Sequence, residues 1–449
     1  MTNPTAVTLD HRNYYRMPWS LTDNAMSWLE ITTRCNITCK GCYRDSRKDG
    51  HKSLDEIRDE LEVFAKLRKS DGMSLAGGDP LVHPDIVAIT KMVRDMGWKP
   101  LLNTNGRALT PELLRQLKDA GAASFTFHID TTQTRSDFEA KTEEELNALR
   151  EKFADMIAEV GGMTCGYNIT VTRTNLHEVP TLIRWAEANA HKVNSIHFIT
   201  YRDFGCAPDF DRFANGVQVA VDTQRAHPEL TDPTPVKTVD VIEQIRKVDP
   251  LYEPSAYLSG NCDPRTMKWT FASRFVLKGR TIGYVGPRFM ELTQRSNHWR
   301  HGKWLGLPNP RMLAAARLAM FFLWFFDKRV RSAFWAYIKA VLRNPVNLFR
   351  RVRTQTILLL QPLDILADGR MNMCDGCPNI TVHQGELYWS CRLEEIKEYG
   401  AFLTAAPKDR ALVAPRKRFF HEESPDAAAP DPSRPVETAA PNGGDSLPN

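Results

Sequence analysis

The sequence has no apolar run long enough to cross a bilayer. Spanning takes ~20 consecutive apolar residues, and the stretch around "MFFLWFF" falls short of that and follows Arg317. The first twenty residues, "MTNPTAVTLDHRNYYRMPWS", lack a basic start followed by an apolar segment, which predicts no secretory leader. Without export, the nine cysteines do not read as a disulfide framework. In a reducing compartment, clustered thiols bind metal or carry out redox chemistry. Strong charge of one sign is also missing: +5 over 449 residues is too little to argue for nucleic acid. Large apolar residues almost vanish after Glu422, where a Pro-, Ala- and Asp-rich tail reads as disordered.

The charge that is present is unevenly placed. Between Arg311 and Arg353 stand ten Lys/Arg and one acid, Asp327, a net +9 that leaves −4 for the rest of the chain. Residues 26–205 alternate short apolar strands with helical patterns. The strands are "WLEITT", "MSLAGG", "KPLLNTNG", "SFTFHID", "CGYNITVT" and "NSIHFITYR". Between them, "SLDEIRDELEVFAKLRKS" and "TPELLRQLKDAG" read as helices, the second opening at Thr110–Pro111 and stopping at Gly121. Six β-α repeats in order imply a parallel α/β sheet with right-handed crossovers, curved into a partial TIM-like barrel. In such folds the chemistry sits at the C-terminal ends of the strands. Further on, "FVLKGRTIGYVG" reads as a hairpin.

The loop after the first strand, "TTRCNITCKGCYRDS", places Cys35, Cys39 and Cys42 in a CxxxCxxC spacing. A structural zinc site wants four closed ligands. A [4Fe–4S] cluster takes one thiolate per iron, so three thiols leave one iron open. "GGDP" (Gly77–Pro80) ends the second strand and "NTNG" (Asn103–Gly106) the third. With these motifs in this order, residues 26–205 resemble the radical SAM superfamily.

The resemblance implies that S-adenosylmethionine chelates the open iron, and that its reductive cleavage releases a 5′-deoxyadenosyl radical. It implies that Gly77, Gly78, Asp79 and Pro80 hold the methionine amino group through backbone carbonyls, glycine letting backbone approach the ligand. Asn103 and Asn105 are the expected polar contacts to ribose or methionine. His128, Asp130 and Asn168 are further cofactor candidates, against the plainer reading of a hydrogen-bonded strand-end histidine. Gly41 stands where many members carry an aromatic, and Tyr43 follows the third cysteine.

A second set, "CDGCPNITVHQGELYWSC", spaces Cys374, Cys377 and Cys391 as CxxC-x13-C. The hairpin-like "ITVHQGELYWS" brings the third thiol toward the first two. Alone, this pattern reads as a zinc ribbon or as a second cluster site. It resembles the auxiliary region of radical SAM enzymes with twitch or SPASM extensions, and its spacing is similar to that of the molybdenum-cofactor cyclases, without their C-terminal Gly-Gly. The resemblance implies a second [4Fe–4S] cluster, with Cys262 in "SGNCDPRT" as candidate fourth ligand or else a buried thiol. Cys165 reads as a structural thiol. Cys206, past the sixth strand, is the candidate catalytic hydrogen-atom donor to a product radical.

The segment "RMLAAARLAMFFLWFFDKRVRSAFWAYIKAVLR" carries a stripe at Phe326, Val330, Phe334, Tyr337 and Val341. Lys328, Arg329, Arg331, Lys339 and Arg343 fall elsewhere, as in an interfacial membrane helix. "LFRRVRTQTILLL" reads as continuing that chemistry. The plainer alternative is a core helix packing the C-terminal region onto the barrel.

The expected fold is thus a partial (β/α)6 barrel with an auxiliary-cluster extension and a helical, amphipathic insert. Its parts are an N-terminal extension (1–25), the barrel (26–210), a connecting region (211–310), the basic insert (311–365), the auxiliary region (366–420) and the tail (421–449). The expected activity is hydrogen abstraction from a C–H bond, with a long-chain or membrane lipid as substrate. A peptide maturase or small-molecule cyclase and a non-catalytic iron–sulfur carrier are the alternatives. Expected partners are an electron donor such as flavodoxin or ferredoxin and a membrane surface, not nucleic acid. The expected location is the cytoplasm, peripheral on the inner membrane face.

Overall fold

The computed structural model describes residues 9–44, 50–202, 209–220, 227–231 and 234–408. Cys206 and the tail from Glu422 lie outside the described residues. Six parallel strands occur in chain order along one sheet: β1 Met26–Thr32, β2 Gly72–Gly77, β3 Lys99–Thr104, β4 Ser124–His128, β5 Thr164–Val171 and β6 Ser195–Thr200. The helices between them are α1 Leu54–Leu67, α2 Ile86–Asp95, α3 Pro111–Ala120, α4 Asn147–Val160 and α5 Val179–Ala188. Local signals set their ends. Ser53 and Glu56 form a reciprocal cap on α1. Thr110 accepts from the Leu113 N–H at 3.1 Å, and Gly121 ends α3 at φ 105°.

The two-residue period of a strand gives this sheet a dry face and a wet one. On β5, Cys165, Tyr167, Ile169 and Val171 are buried in the core with the helices, while Thr164, Asn168 and Thr170 line a cavity inside the curve. On β4, Phe125 and Phe127 belong to the core, and Ser124, Thr126 and His128 to the cavity. Polar residues thus collect where the barrel interior opens.

The sheet runs on past the sixth strand. The further strands are β7 Ala256–Ser259, β8 Met267–Leu277, β9 Arg280–Tyr284 and β10 Arg353–Leu360. β10 lies parallel to β6, β8 antiparallel to β10, and β7 antiparallel to β8. β8 and β9 form the expected hairpin, turning at Lys278 and Gly279, both with positive φ. In the strand order, β1 and the short segment Tyr15–Arg16 stand at opposite ends, so the barrel is partial and open.

This arrangement corrects the reading of residues 311–365 as helical throughout. Ile357 and Leu359 face the core, and Thr356, Leu358 and Leu360 face the cavity. That is the period of a strand, so "TQTILLL" belongs to the sheet and does not prolong a surface helix. The expected boundaries at 25, 210 and 310 therefore each have strands of this one sheet on both sides.

The insert's longer helices are α6 Ala316–Leu323 and α7 Lys328–Arg343. Asp327 caps α7, accepting from the N–H groups of Arg329 at 2.9 Å and Val330 at 3.2 Å, so the chain bends between the two. α7 buries Val330, Ala333 and Tyr337 with Phe275, Leu277 and Val285. Val330 and Tyr337, read from sequence as part of a membrane-facing stripe, are core. No helix among the described residues is long and apolar enough to cross a membrane.

Candidate functional site

Cys35, Cys39 and Cys42 all line the cavity, whose volume is about 750 Å³. Their loop is held from several sides. Thr38–Cys39 pairs with Gln133–Thr134, and the Lys40 N–H donates to the Thr132 carbonyl at 2.9 Å. Gly41 has φ 70°, and a Cβ there would lie 2.2 Å from Tyr201 Cε2. An aromatic at this position would collide with Tyr201, and glycine accommodates both demands. Just past the loop, the buried Arg44 pairs with Glu30 of β1 and, at 3.2 Å, with Glu394 in the C-terminal region.

Burial pushes the Cys35 and Cys39 thiols up, and nearby Asp79 and Asp130 respectively add to the effect. Bare thiolates are disfavoured in such a place, and a cationic metal centre supplies the missing counter-charge. A [4Fe–4S] cluster takes one thiolate per iron, and three thiols of one loop face one cavity here. The three-thiol loop fits an iron–sulfur cluster on that ground.

The GGDP turn is stitched to this loop. The Gly78 N–H donates to the Thr32 carbonyl and the Asp79 N–H to the Arg34 carbonyl, both at 2.8 Å. A Cβ on Gly77 or Gly78 would lie 2.1 Å from the Thr32 or Arg34 carbonyl oxygen. Both glycines line the cavity. Asp79 and Pro80 do not: Asp79 is buried, accepting from the Leu81 N–H at 2.9 Å, the Thr104 hydroxyl at 2.8 Å and the Asn105 N–H at 2.7 Å. Its carboxylate is consumed in tying GGDP to NTNG. Asn105 lines the cavity, with Nδ2 2.8 Å from Asn36 Oδ1 and 3.7 Å from Cys35 Sγ.

A polar collar crosses the strand ends. Asn168 Nδ2 donates to Asn103 Oδ1 at 3.1 Å, and Asn168 Oδ1 lies 2.8 Å from His197 Nδ1. Burial lowers the His197 pKa to about 4, so the ring is neutral with its proton on Nδ1. Beside the collar, His128 Nε2 lies 2.8 Å from Asp130 Oδ2 and 3.0 Å from Thr170 Oγ1. Burial opposes a charge on His128, but the Asp130 carboxylate outweighs it and raises the pKa. Asp130 itself is buried and accepts from the Thr132 and Thr170 N–H groups, so it fixes His128 rather than facing the cavity.

The second cysteine set opens on the same cavity. The hairpin Ile380–His383/Glu386–Trp389 turns at Gln384 and Gly385, and Cys374, Cys377 and Cys391 all line the wall. Trp269 Nε1–H donates to Cys374 Sγ at 3.3 Å. Cys374 and Cys377 share a hydrogen bond that lowers the pKa of the first and raises that of the second. Arg68 donates to the Cys377 carbonyl at 3.0 Å. Cys262 is not part of the wall: its Sγ sits 3.2 Å from the Met371 carbonyl oxygen.

Residues 29–186 match the family model of the Radical SAM superfamily. The chain carries a radical SAM domain. Over 170 residues it is 29% identical to the tungsten-containing aldehyde ferredoxin oxidoreductase cofactor-modifying protein of Pyrococcus furiosus, covering 35% of this chain and 47% of that one. It is 30% identical over 162 residues to the AdoMet-dependent heme synthase of Methanosarcina barkeri, covering 34% and 44%. With the GTP 3′,8-cyclase of Erythrobacter litoralis it shares 29% identity over 182 residues, covering 37% and 52%. The chain thus spans about half the length of the curated relatives it matches.

Within the radical SAM domain and beyond, sequence reasoning missed His197, Trp269 and Tyr201, all on the cavity wall. His197 had a readable signal. Ser195, His197 and Ile199 alternate with the buried Ile196 and Phe198, and a polar residue in phase with the inward face marks a lined interior.

Proposed function

We propose that this protein takes a hydrogen atom from a C–H bond of a substrate held in the cavity, using a [4Fe–4S] cluster on Cys35, Cys39 and Cys42 with S-adenosylmethionine beside it. The observation that carries the reading is that both cysteine sets line one cavity of about 750 Å³. When bound, the cluster and S-adenosylmethionine supply a 5′-deoxyadenosyl radical, and the protein's contribution is orientation and exclusion of water. Gly77 and Gly78 present bare backbone at the wall. The Asn103–Asn168–His197 collar gives a polar group of cofactor or substrate fixed hydrogen-bond partners. Cys374, Cys377 and Cys391 would hold a second [4Fe–4S] cluster, which supplies an electron acceptor or a substrate-binding iron. A flavodoxin- or ferredoxin-like protein is the matching reductant.

The substrate class we favour is a long-chain lipid. Both ends of β6, Ser195 and Thr200, line the cavity, so it extends along a strand of roughly 20 Å. Toward the strand starts its wall sets the apolar Met26, Leu101, Leu307 and Leu313 among the hydroxyls of Ser124, Thr164 and Ser195. An elongated cavity with long apolar side chains set among hydroxyl groups suits a molecule with an apolar chain and a polar head. A small polar molecule is the second reading, supported by the collar and by the similarity to the GTP 3′,8-cyclase.

The test is 5′-deoxyadenosine release by anaerobically reconstituted protein with a strong reductant. Stimulation by a membrane lipid extract is expected, with loss of all release in Cys35→Ala. Stimulation by a lipid-free metabolite extract alone would move the substrate to the second reading. No release from protein with full cluster content would sink the enzymatic reading.

A further inference from the structure

The face left open by the insert keeps only Phe326 and part of Phe334 from the stripe read from the sequence. Phe321, Phe322, Phe325, Phe326 and Trp335 are each between 50% and 62% exposed. Their rings touch in an unbroken series through Trp324 and Phe334. Such a plate exposes roughly 500 Å² of aromatic surface, at the upper end of what monomers leave uncovered. Around it Lys328, Arg331, Lys339, Arg343, Arg350 and Arg351 are exposed. The one acid between Arg311 and Arg353 is Asp327, which is buried capping α7.

We propose that this aromatic plate and its basic rim dock the protein onto an anionic bilayer surface, with the base of the barrel toward the membrane. Aromatic rings, tryptophan above all, settle at the headgroup level, and cations around them meet anionic lipid. Charge decides among possible occupants. A second copy docking symmetrically would set the same +9 segment against itself. The orientation follows from position. The plate's α6 joins the sheet at the start of β10, where Thr354 Oγ1 lies 3.5 Å from the Leu313 carbonyl and Arg317 reaches the Leu348 carbonyl at 2.6 Å. Leu313 also lines the cavity at its base. The plate and the base of the cavity therefore share one end of the sheet.

The docking does not depend on the chemistry, so its test reads binding alone. The full chain is co-sedimented with vesicles of phosphatidylcholine, with and without phosphatidylglycerol. Binding to the anionic vesicles is expected, weakening with salt and falling at least tenfold, by order of magnitude, in Phe325→Glu/Phe326→Glu. Arg350→Gln/Arg351→Gln should lose roughly fivefold for each cation removed. The arginine pair is exposed, so it keeps the test open if the glutamate pair fails to fold. The proposal falls if the wild type ignores phosphatidylglycerol or if both variants bind as it does. It also falls if the wild type dimerises without vesicles and the glutamate pair is a monomer, which would give the plate to a second copy.

Discussion

The Asp79 carboxylate accepts the Asn105 backbone N–H at 2.7 Å, joining the turn after the second barrel strand to the turn after the third. The same carboxylate takes the Thr104 hydroxyl and the Leu81 N–H. Replacing Asp79 with Ala leaves three buried donors without an acceptor. At ~1–3 kcal/mol for each, the expected cost is about 3 kcal/mol or more in urea unfolding, with S-adenosylmethionine binding lost alongside. Thr104→Val should cost only about 1 kcal/mol. An Asp79→Ala cost no larger than that would mean water replaces the carboxylate.

Gly41 meets two constraints at once, a φ of 70° and the ring of Tyr201. Gly41→Ala should lower the iron retained after reconstitution and lower the melting temperature. Gly162 makes the control, since it has φ 79° but no atom closer than 3.6 Å to the place a Cβ would take. Gly162→Ala should cost about 1–2 kcal/mol for its backbone alone and leave iron content unchanged. Equal behaviour of the two would remove Tyr201 from the account.

Iron counting separates the thiols of the second set from Cys262. Cys391 lines the shared cavity, whereas Cys262 Sγ lies against the Met371 carbonyl. Cys391→Ala should lose about half of the iron bound by the wild type, as one of two equal clusters is lost. Cys262→Ala should retain all of it. Iron loss in Cys262→Ala would restore it as a ligand.

The buried His197 makes stability depend on acid. Its pKa is about 4 in the fold and ~6.5 in an unfolded chain. Between those values the unfolded chain binds more protons, so the contribution is full above ~6.5 and is lost as pH falls. His197→Gln does not titrate and keeps an amide donor for Asn168. Its urea midpoint should gain on the wild type as pH drops from about 7 to about 5. A constant difference would mean that protonated His197 is tolerated.

The β-α order, the six barrel strands and the Thr110 cap were legible because each is written in local chemistry. Periods of two and 3.6 and capping side chains act over a few residues. Cys35, Cys39 and Cys42 were legible for the same reason: one loop carries all three. What Asp79, Asp130 and Cys262 do was not legible. Each sits beside a motif, yet its partners, Asn105, Thr170 and Met371, come from 26, 40 and 109 residues away.

The insert shows the division most clearly. By itself the sequence determined that residues 311–353 would be basic, aromatic and too short in apolar run to span a bilayer, since composition needs no partner. Only the tertiary structure decided which of those side chains face water. Val330 and Tyr337 are buried because α7 packs on the β8–β9 hairpin, where Gly283 lets Ala333 approach closely. Phe325 and Phe326 stay exposed because the Asp327 cap bends the chain away first. Likewise "TQTILLL" became a strand because β6 and β8 offered hydrogen bonds on both of its edges. Exposure and sheet pairing are properties of what lies opposite, and nothing within a short stretch of chain encodes that.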